Sequence, residues 1–103
     1  MGRAMLHTVN KSPFEHRSLE TCLKFAQPGS AVLLIEDGVY AAARETVLAQ
    51  QLQEAMQRVS VYALKADVEA RGMQNRVMDG VRLVDYGGFV DLVVEHNAVQ
   101  SWL

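Results

Sequence analysis

The chain has 103 residues, half of them apolar, and a formal net charge of −2 at pH 7. This length and apolar share suit one domain, residues 1–103, with a single hydrophobic core. The charged residues form no basic run that could neutralise a series of phosphates, so direct nucleic-acid binding is not expected.

The cysteine content and the hydropathy of the chain predict where in the cell the protein is located. Cys22 is the single cysteine and cannot form an internal disulfide. Residues 1–4 lack the apolar run of a secretory signal, and no apolar stretch approaches the roughly 20 residues that cross a bilayer. We therefore expect a soluble cytoplasmic protein with no membrane segment.

Four short apolar stretches predict β-strands. They cover residues 4–9, 31–35, 59–64 and 81–84. Helix-favouring segments lie between them, and this alternation predicts an α/β fold with a largely parallel sheet. Residues 32–35 are apolar at every position, which is typical of a central strand with helices on both faces.

The first helix is predicted to begin at Ser12. A serine there can cap free backbone N–H groups, Pro13 suits the first helical position, and Glu15 stands three residues after the cap. Residues 27–29, Gln-Pro-Gly, should end this helix. A long second helix is predicted over residues 39–57, which are rich in helix-forming alanine, leucine, glutamine and glutamate.

The second half of the chain predicts shorter elements. They are a helix at residues 66–71 closed by Gly72, a loop at 73–80, a helix at 88–95 and an edge strand at 99–103. Trp102 and Leu103 would be exposed if the chain end frayed. We therefore expect this domain or another subunit to cover them.

Cys22 admits two interpretations. In the first helix, Leu19, Cys22, Leu23 and Ala26 stand at i, i+3, i+4 and i+7, the spacing of one buried stripe. This spacing favours a packing role, because free cysteine behaves as a small apolar residue in protein cores. The other interpretation is a thiolate nucleophile, which requires partial exposure and positively charged surroundings.

Polar residues follow the predicted strands. They are Asn10 and Lys11, Glu36 and Asp37, Lys65, and Asp85. This edge of a parallel sheet commonly binds ligands, so a phosphate-accepting receiver domain using Asp37 and Asp85 is one hypothesis. A receiver has a pair of acids after its first strand, where this chain has Asn10 and Lys11. Helix capping and loop solvation are the simpler roles for these residues.

No sequence pattern indicates a cofactor or a metal site. The glycines lack the spacing of a phosphate-binding loop. His7, His16 and His96 have no partners at metal-ligand spacing, and no Ser-His-acid triad can be assembled. His7 lies inside a predicted strand and is expected to be a hydrogen-bonded structural residue.

Several stretches together resemble the TusB/DsrH family of sulfur-relay proteins. They are Met5-Leu6-His7-Thr8-Val9-Asn10-Lys11-Ser12-Pro13-Phe14, Leu33-Leu34-Ile35-Glu36-Asp37-Gly38-Val39-Tyr40-Ala41-Ala42 and Gln100-Ser101-Trp102-Leu103. Weaker matches at residues 61–64, 70–72, 84–86 and 89–90 extend the resemblance over nearly the whole chain. Residues 1–4 look like a short N-terminal extension ahead of the family's usual beginning.

This resemblance implies a three-layer α/β/α sandwich of the DsrE-like type, with a mainly parallel sheet. It also implies a non-catalytic subunit of a heterohexamer whose partners are DsrE/TusD-like and DsrF/TusC-like subunits. In such a complex the sulfur-carrying cysteine belongs to the DsrE/TusD partner. The alternative is a sulfurtransferase subunit in which Cys22 itself accepts persulfide sulfur.

Two pathways are open within the family. TusB-type complexes pass persulfide sulfur toward 2-thiouridine at the tRNA wobble position, and DsrH-type complexes pass it within cytoplasmic sulfur oxidation. Residues 18–23 resemble the DsrH side more closely. An acidic subunit that does not itself bind tRNA suits both pathways.

Overall fold

A computed structural model describes residues 5–103, and the residues predicted as an N-terminal extension lie outside that range. The elements in chain order are β1 Leu6–Val9, α1 Ser18–Phe25, β2 Ala31–Leu34, a 3₁₀ helix Glu36–Ala42, α2 Ala49–Ala55, β3 Ser60–Leu64, α3 Lys65–Ala70, β4 Arg82–Val84, α4 Tyr86–Glu95 and β5 Val99–Trp102. Each predicted strand is present, with ends that differ by at most two residues, and Ala4, the predicted start of the first strand, lies outside the described range.

The five strands form one parallel sheet in the order β4-β3-β2-β1-β5. β2 is the middle strand and all four of its residues are buried, which confirms the predicted central strand. The chain builds the sheet outward from β1 to β4 and then returns to the free side of β1. β5 is therefore an edge strand, as predicted, and Leu6 of β1 lies opposite both Ala31 and Val99.

Helices cover the two faces of the sheet unequally. On one face, α1, α2, α3 and the 3₁₀ helix enclose the larger core, which includes Val9 and Leu34. On the other face, Phe89 and Leu92 of α4 pack against a smaller cluster around Leu33. The predicted three-layer α/β/α sandwich is confirmed, and α4 is the helix that forms its thin layer.

The first helix begins at Ser18, so the prediction that it starts at Ser12 is wrong. The Ser12 hydroxyl accepts a hydrogen bond of 3.3 Å from the backbone N–H of Phe14. The Ser12 carbonyl accepts from the N–H groups of Glu15 and His16. Ser12 therefore closes a separate turn, because its side chain bonds locally instead of capping α1.

The prediction of one long helix over residues 39–57 is also wrong, since the 3₁₀ helix and α2 are separate elements. Between them, Ala43 forms an antiparallel bridge with Val77, which lies in the predicted loop. Glu45 has φ +63°, a left-handed conformation that interrupts a helix. Pairing with a distant segment thus overrides the helix propensity of the alanines.

The remaining helices agree more closely with the predictions. α3 matches the helix predicted at residues 66–71 within one residue, and Gly72 follows it with φ +65°. α4 begins at Tyr86, earlier than predicted, because the carboxylate of Asp85 accepts from the N–H of Gly88 at 2.7 Å and caps it. Within residues 5–103, the helices are too short or too polar to cross a membrane.

Candidate functional site

Cys22 lies inside α1 and exposes none of its surface. Leu19, Leu23 and Ala26, its neighbours on the predicted stripe, are buried in the same core. Burial raises the pKa of the Cys22 thiol from 9.0 to about 12, because a thiolate there would lose its hydration. The predicted buried stripe is confirmed, and the thiolate that sulfur chemistry needs is disfavoured at this position.

A cluster of Asp37, Asp67 and Arg71, the arginine–carboxylate cluster, lies at the carboxyl edge of the sheet. The Asp67 carboxylate accepts a hydrogen bond of 2.7 Å from the backbone N–H of Glu36, whose φ is +50°. The Arg71 guanidinium donates to Asp37 at 2.9 Å and lies 4.0 Å from Asp67. The cluster therefore ties the chain after β2 to α3, with Arg71 within ion-pair distance of both acids.

The receiver hypothesis required Asp37 and Asp85 to act together. They follow β2 and β4, which β3 separates in the sheet. Asp37 is bound to Arg71, and Asp85 caps α4. Asp85 thus has the capping role that the simpler interpretation predicts, whereas Asp37 forms an ion pair that was not predicted. Across the described part of the chain, no three His, Cys, Asp or Glu residues come together in a way that could hold a metal ion.

His7 and Trp102 form a contact that the sequence-based predictions do not include. The indole Nε1 of Trp102 donates a hydrogen bond of 3.0 Å to Nδ1 of His7. Phe25 lies beside the same indole, with ring centroids 6.4 Å apart. The expected hydrogen-bonded His7 is confirmed, and Trp102 is covered from within the domain, whereas Leu103 stays 82% exposed.

Strand register explains this contact. His7 pairs with Gln100 across the β1–β5 ladder, and Trp102 is two residues further along β5. Residues two apart on a strand project from the same face, so the indole can reach back toward the imidazole. The sequence did not predict this contact, because the apolar pattern of residues 99–103 does not say which strand β5 pairs with.

The outer face of α4, formed by Tyr86, Val90, Val93 and Val94, is apolar and uncovered. These four side chains are between 40% and 77% exposed, while Leu92 of the same helix is buried against the sheet. Contiguous exposed apolar surface of this kind commonly marks a protein interface. The sequence predicted that the chain end needs cover, and the structure shows a further uncovered apolar surface on α4.

Known proteins with similar sequences match nearly the whole chain. The family model described as "DsrH like protein" matches residues 11–99. "Protein TusB" of Pectobacterium parmentieri is 41% identical over 99 residues, which cover 95% of this chain and 100% of the relative. "Protein TusB" of Klebsiella pneumoniae is 36% identical over 98 residues, with 95% and 100% covered.

Solved structures share the fold at lower sequence identity. The ychN protein from E. coli has a TM-score of 0.80 at 21% identity, over 98% of this chain and 99% of that chain. MTH1491 from Methanobacterium thermoautotrophicum has a TM-score of 0.68 at 20% identity, over 97% and 99%. These structures share the α/β fold of this chain, and the sequence matches over nearly the whole chain identify its family. The chain belongs to the TusB/DsrH family.

Proposed function

We propose that the chain is a non-catalytic subunit of a cytoplasmic sulfur-relay complex of the TusBCD/DsrEFH type. In this complex, persulfide sulfur is carried by the cysteine of a DsrE/TusD-like partner. The burial of Cys22, the only thiol of the chain, carries the proposal. A chain of this family without an accessible thiol is suited to docking and not to sulfur carriage.

The outer face of α4 supports assembly with DsrE/TusD-like and DsrF/TusC-like subunits. α4 is the thin layer of the sandwich, and its exposed valines and tyrosine leave apolar surface for a partner. Val99 is 45% exposed and lies opposite Leu6, on the sheet face that α4 covers, so it adds exposed apolar surface on the same side of the sheet. Permanent interfaces are more hydrophobic than transient ones, which agrees with an obligate heterohexamer.

Co-expression with the two partner subunits tests the proposal. We expect one stable complex with equal copies of the three chains, with its mass measured by light scattering. Val90→Asp should weaken assembly by about tenfold or more, because it would bury an unpaired charge. Val47→Asp is the matched control: Val47 is 89% exposed and lies ahead of α2, in the other helical layer.

One outcome would overturn this proposal, and another would overturn only the assignment of α4 to the interface. A wild-type chain that stays alone in the presence of both partners would overturn the proposal. Equal assembly of Val90→Asp and wild type would show that the outer face of α4 is not part of the interface, although the complex itself forms. The purified Val90→Asp chain should keep the wild-type circular dichroism spectrum, since residue 90 is 59% exposed and a surface substitution there disturbs no core contact.

The alternative is that Cys22 itself accepts persulfide sulfur. A thiolate would have to form at a position where burial raises the pKa to about 12, and a donor would have to reach it. Mass spectrometry after incubation with a persulfide donor decides between the two roles. A gain of one sulfur atom that Cys22→Ser loses would establish the alternative, and no gain would reject it.

The pathway depends on the final sulfur acceptor. The TusB names of the sequence relatives favour tRNA wobble thiolation, and residues 18–23 resemble the DsrH side of the family. Deleting the gene should abolish wobble 2-thiouridine if the complex serves tRNA. Normal 2-thiouridine together with impaired sulfur oxidation, and sulfite-reductase genes nearby, would assign the other pathway.

A further inference from the structure

An open cavity of about 560 Å³ lies between the end of α1 and the edge strand β5. Phe25 and Trp102 provide aromatic surface, and His7, Ser30 and Gln100 provide polar groups. Small-molecule sites in proteins have volumes of this order and are mainly apolar, with a few polar groups that orient the ligand. The cavity therefore has the size and composition of a ligand site.

His7 is held in one tautomer at this cavity. Indole Nε1 can only donate, so Nδ1 of His7 must accept, and the proton of the neutral ring is on Nε2. His7 is only 4% exposed, and burial lowers its pKa below 6.5, so the ring is neutral at neutral pH. Trp102 thus orients His7 as a hydrogen-bond donor through Nε2.

Ser30, directly before β2, supplies a second polar group. Its side chain is 1% exposed, and its hydroxyl oxygen has no hydrogen-bond partner among the residues that the structure describes. Buried hydroxyl groups in folded proteins nearly always have a partner. The Ser30 hydroxyl is therefore a free hydrogen-bonding group in the wall of the cavity, which a small side-chain rotation would present to a bound molecule.

The cavity lining also restricts the charge of the ligand. At neutral pH the described side chains that line it are uncharged: a methionine, a phenylalanine, a tryptophan, two glutamines, a serine and neutral His7. A charged ligand would lose hydration here without gaining an opposite charge. An uncharged ligand with a planar apolar part can lie on the aromatic rings and bond the polar groups.

We propose that this cavity, the Trp102 cleft, binds a small uncharged planar molecule that carries a carbonyl or similar hydrogen-bond acceptor. The planar part lies against Trp102 and Phe25. The acceptor takes hydrogen bonds from His7 Nε2–H and the Ser30 hydroxyl. This site is independent of assembly into a sulfur-relay complex, so the proposal can be tested on the full isolated chain.

Trp102 is the single tryptophan of the chain, so its fluorescence reports on the cleft directly. The probes are benzamide, which is neutral, and benzoate, which has nearly the same shape and a negative charge. We expect saturable quenching by benzamide at neutral pH. The affinity for benzoate should be lower than that for benzamide by a factor of about ten or more. No saturation with benzamide, or benzoate binding of equal strength, would overturn the proposal.

Ser30→Ala tests the binding geometry without removing any hydrogen bond seen in the fold. We expect about two- to tenfold weaker benzamide binding, with an unchanged unfolding midpoint. Ser60→Ala, which replaces an exposed serine of β3, is the matched control and should bind like the wild type. Equal affinity in Ser30→Ala and wild type would refute the assigned geometry.

Amide chemical shifts give a second measurement that does not depend on fluorescence. Benzamide should shift the backbone signals of His7, Ser30 and Gln100 along one saturation curve. The signals of α4 should stay in place, because α4 lies on the opposite face of the sheet. Shifts confined to α4 or to other surfaces would contradict binding in the Trp102 cleft.

Discussion

The carboxylate of Asp67 accepts a hydrogen bond of 2.7 Å from the backbone N–H of Glu36, which links the first turn of α3 to the chain just after β2. Glu36 has φ +50° there, a conformation that residues with a side chain adopt at a cost. Arg71 adds bonds to Asp37 in the same cluster. The side chains of Asp67 in α3 and of Arg71 directly after it therefore fix the turn that begins the 3₁₀ helix.

Replacing Asp67 should destabilise the fold. Asp67→Ala removes the acceptor and leaves the Glu36 N–H without its partner, and we expect the free energy of unfolding to fall by about 1–2 kcal/mol. Glu69→Ala is the control, because it removes an equal charge from an exposed position of the same helix. Urea unfolding measures both variants. Equal losses in the two variants would show that the Asp67 bond contributes nothing specific.

Gly38→Ala should destabilise the fold more strongly. A Cβ at residue 38 would overlap the carbonyl oxygen of Val9, and no side-chain rotation can relieve the clash because the backbone fixes the position of Cβ. We expect a loss of about 3 kcal/mol or failure to fold, measured by thermal unfolding. Gly87→Ala is the control, since its new Cβ would meet only the Asp85 carboxylate at 3.4 Å and should cause no loss. A stable Gly38→Ala protein would disprove the close packing of the 3₁₀ helix on β1.

Native Cys22 should react very slowly with a disulfide reagent. With a pKa of about 12, about one thiol in ten thousand is ionised at pH 8, against about one in ten at the ordinary value of 9.0. We expect a native rate about a thousandfold below that of the urea-unfolded chain, rising with pH. The unfolded protein is the internal control. A native rate equal to the unfolded rate would show that Cys22 is accessible and ionisable.

His7 should make stability depend on pH. Its folded pKa lies below the ordinary 6.5, so the unfolded chain binds more protons between the two values. The contribution of His7 is complete above pH 6.5 and is lost as the pH falls through the folded pKa. Urea unfolding of wild type and His7→Gln across this range isolates the effect, since other groups titrate in both. Parallel pH profiles would contradict the lowered pKa.

Several features were predictable because they depend on local patterns. The continuous apolar run of β2 indicates burial on both faces, and the i, i+3, i+4, i+7 spacing around Cys22 places the thiol in the core. The short stretches that resemble the TusB/DsrH family are distributed over nearly the whole chain and predicted the family. Ser12 shows the limit of such patterns, because one serine can cap a helix or close a turn, and the sequence around it suits both.

The candidate sites were not predictable from local patterns. His7 and Trp102 are 95 residues apart and meet only because β5 pairs with β1 in one register. The Ala43–Val77 bridge divides a segment with helical composition, because hydrogen bonds to the loop around Val77 replace those of a helix. Both the contact and the bridge depend on residues that are distant in sequence, and no periodic pattern in the sequence identifies them.

Patterns within short spans of the chain were sufficient to predict the α/β fold class, the central position of β2, the burial of Cys22 and the family. The surfaces that stay open, which are the outer face of α4 and the Trp102 cleft, depend on how the layers assemble. A surface stays open when the strand order and the helix placement bring no other element of the chain against it. It is therefore a property of the assembled layers and of no single segment.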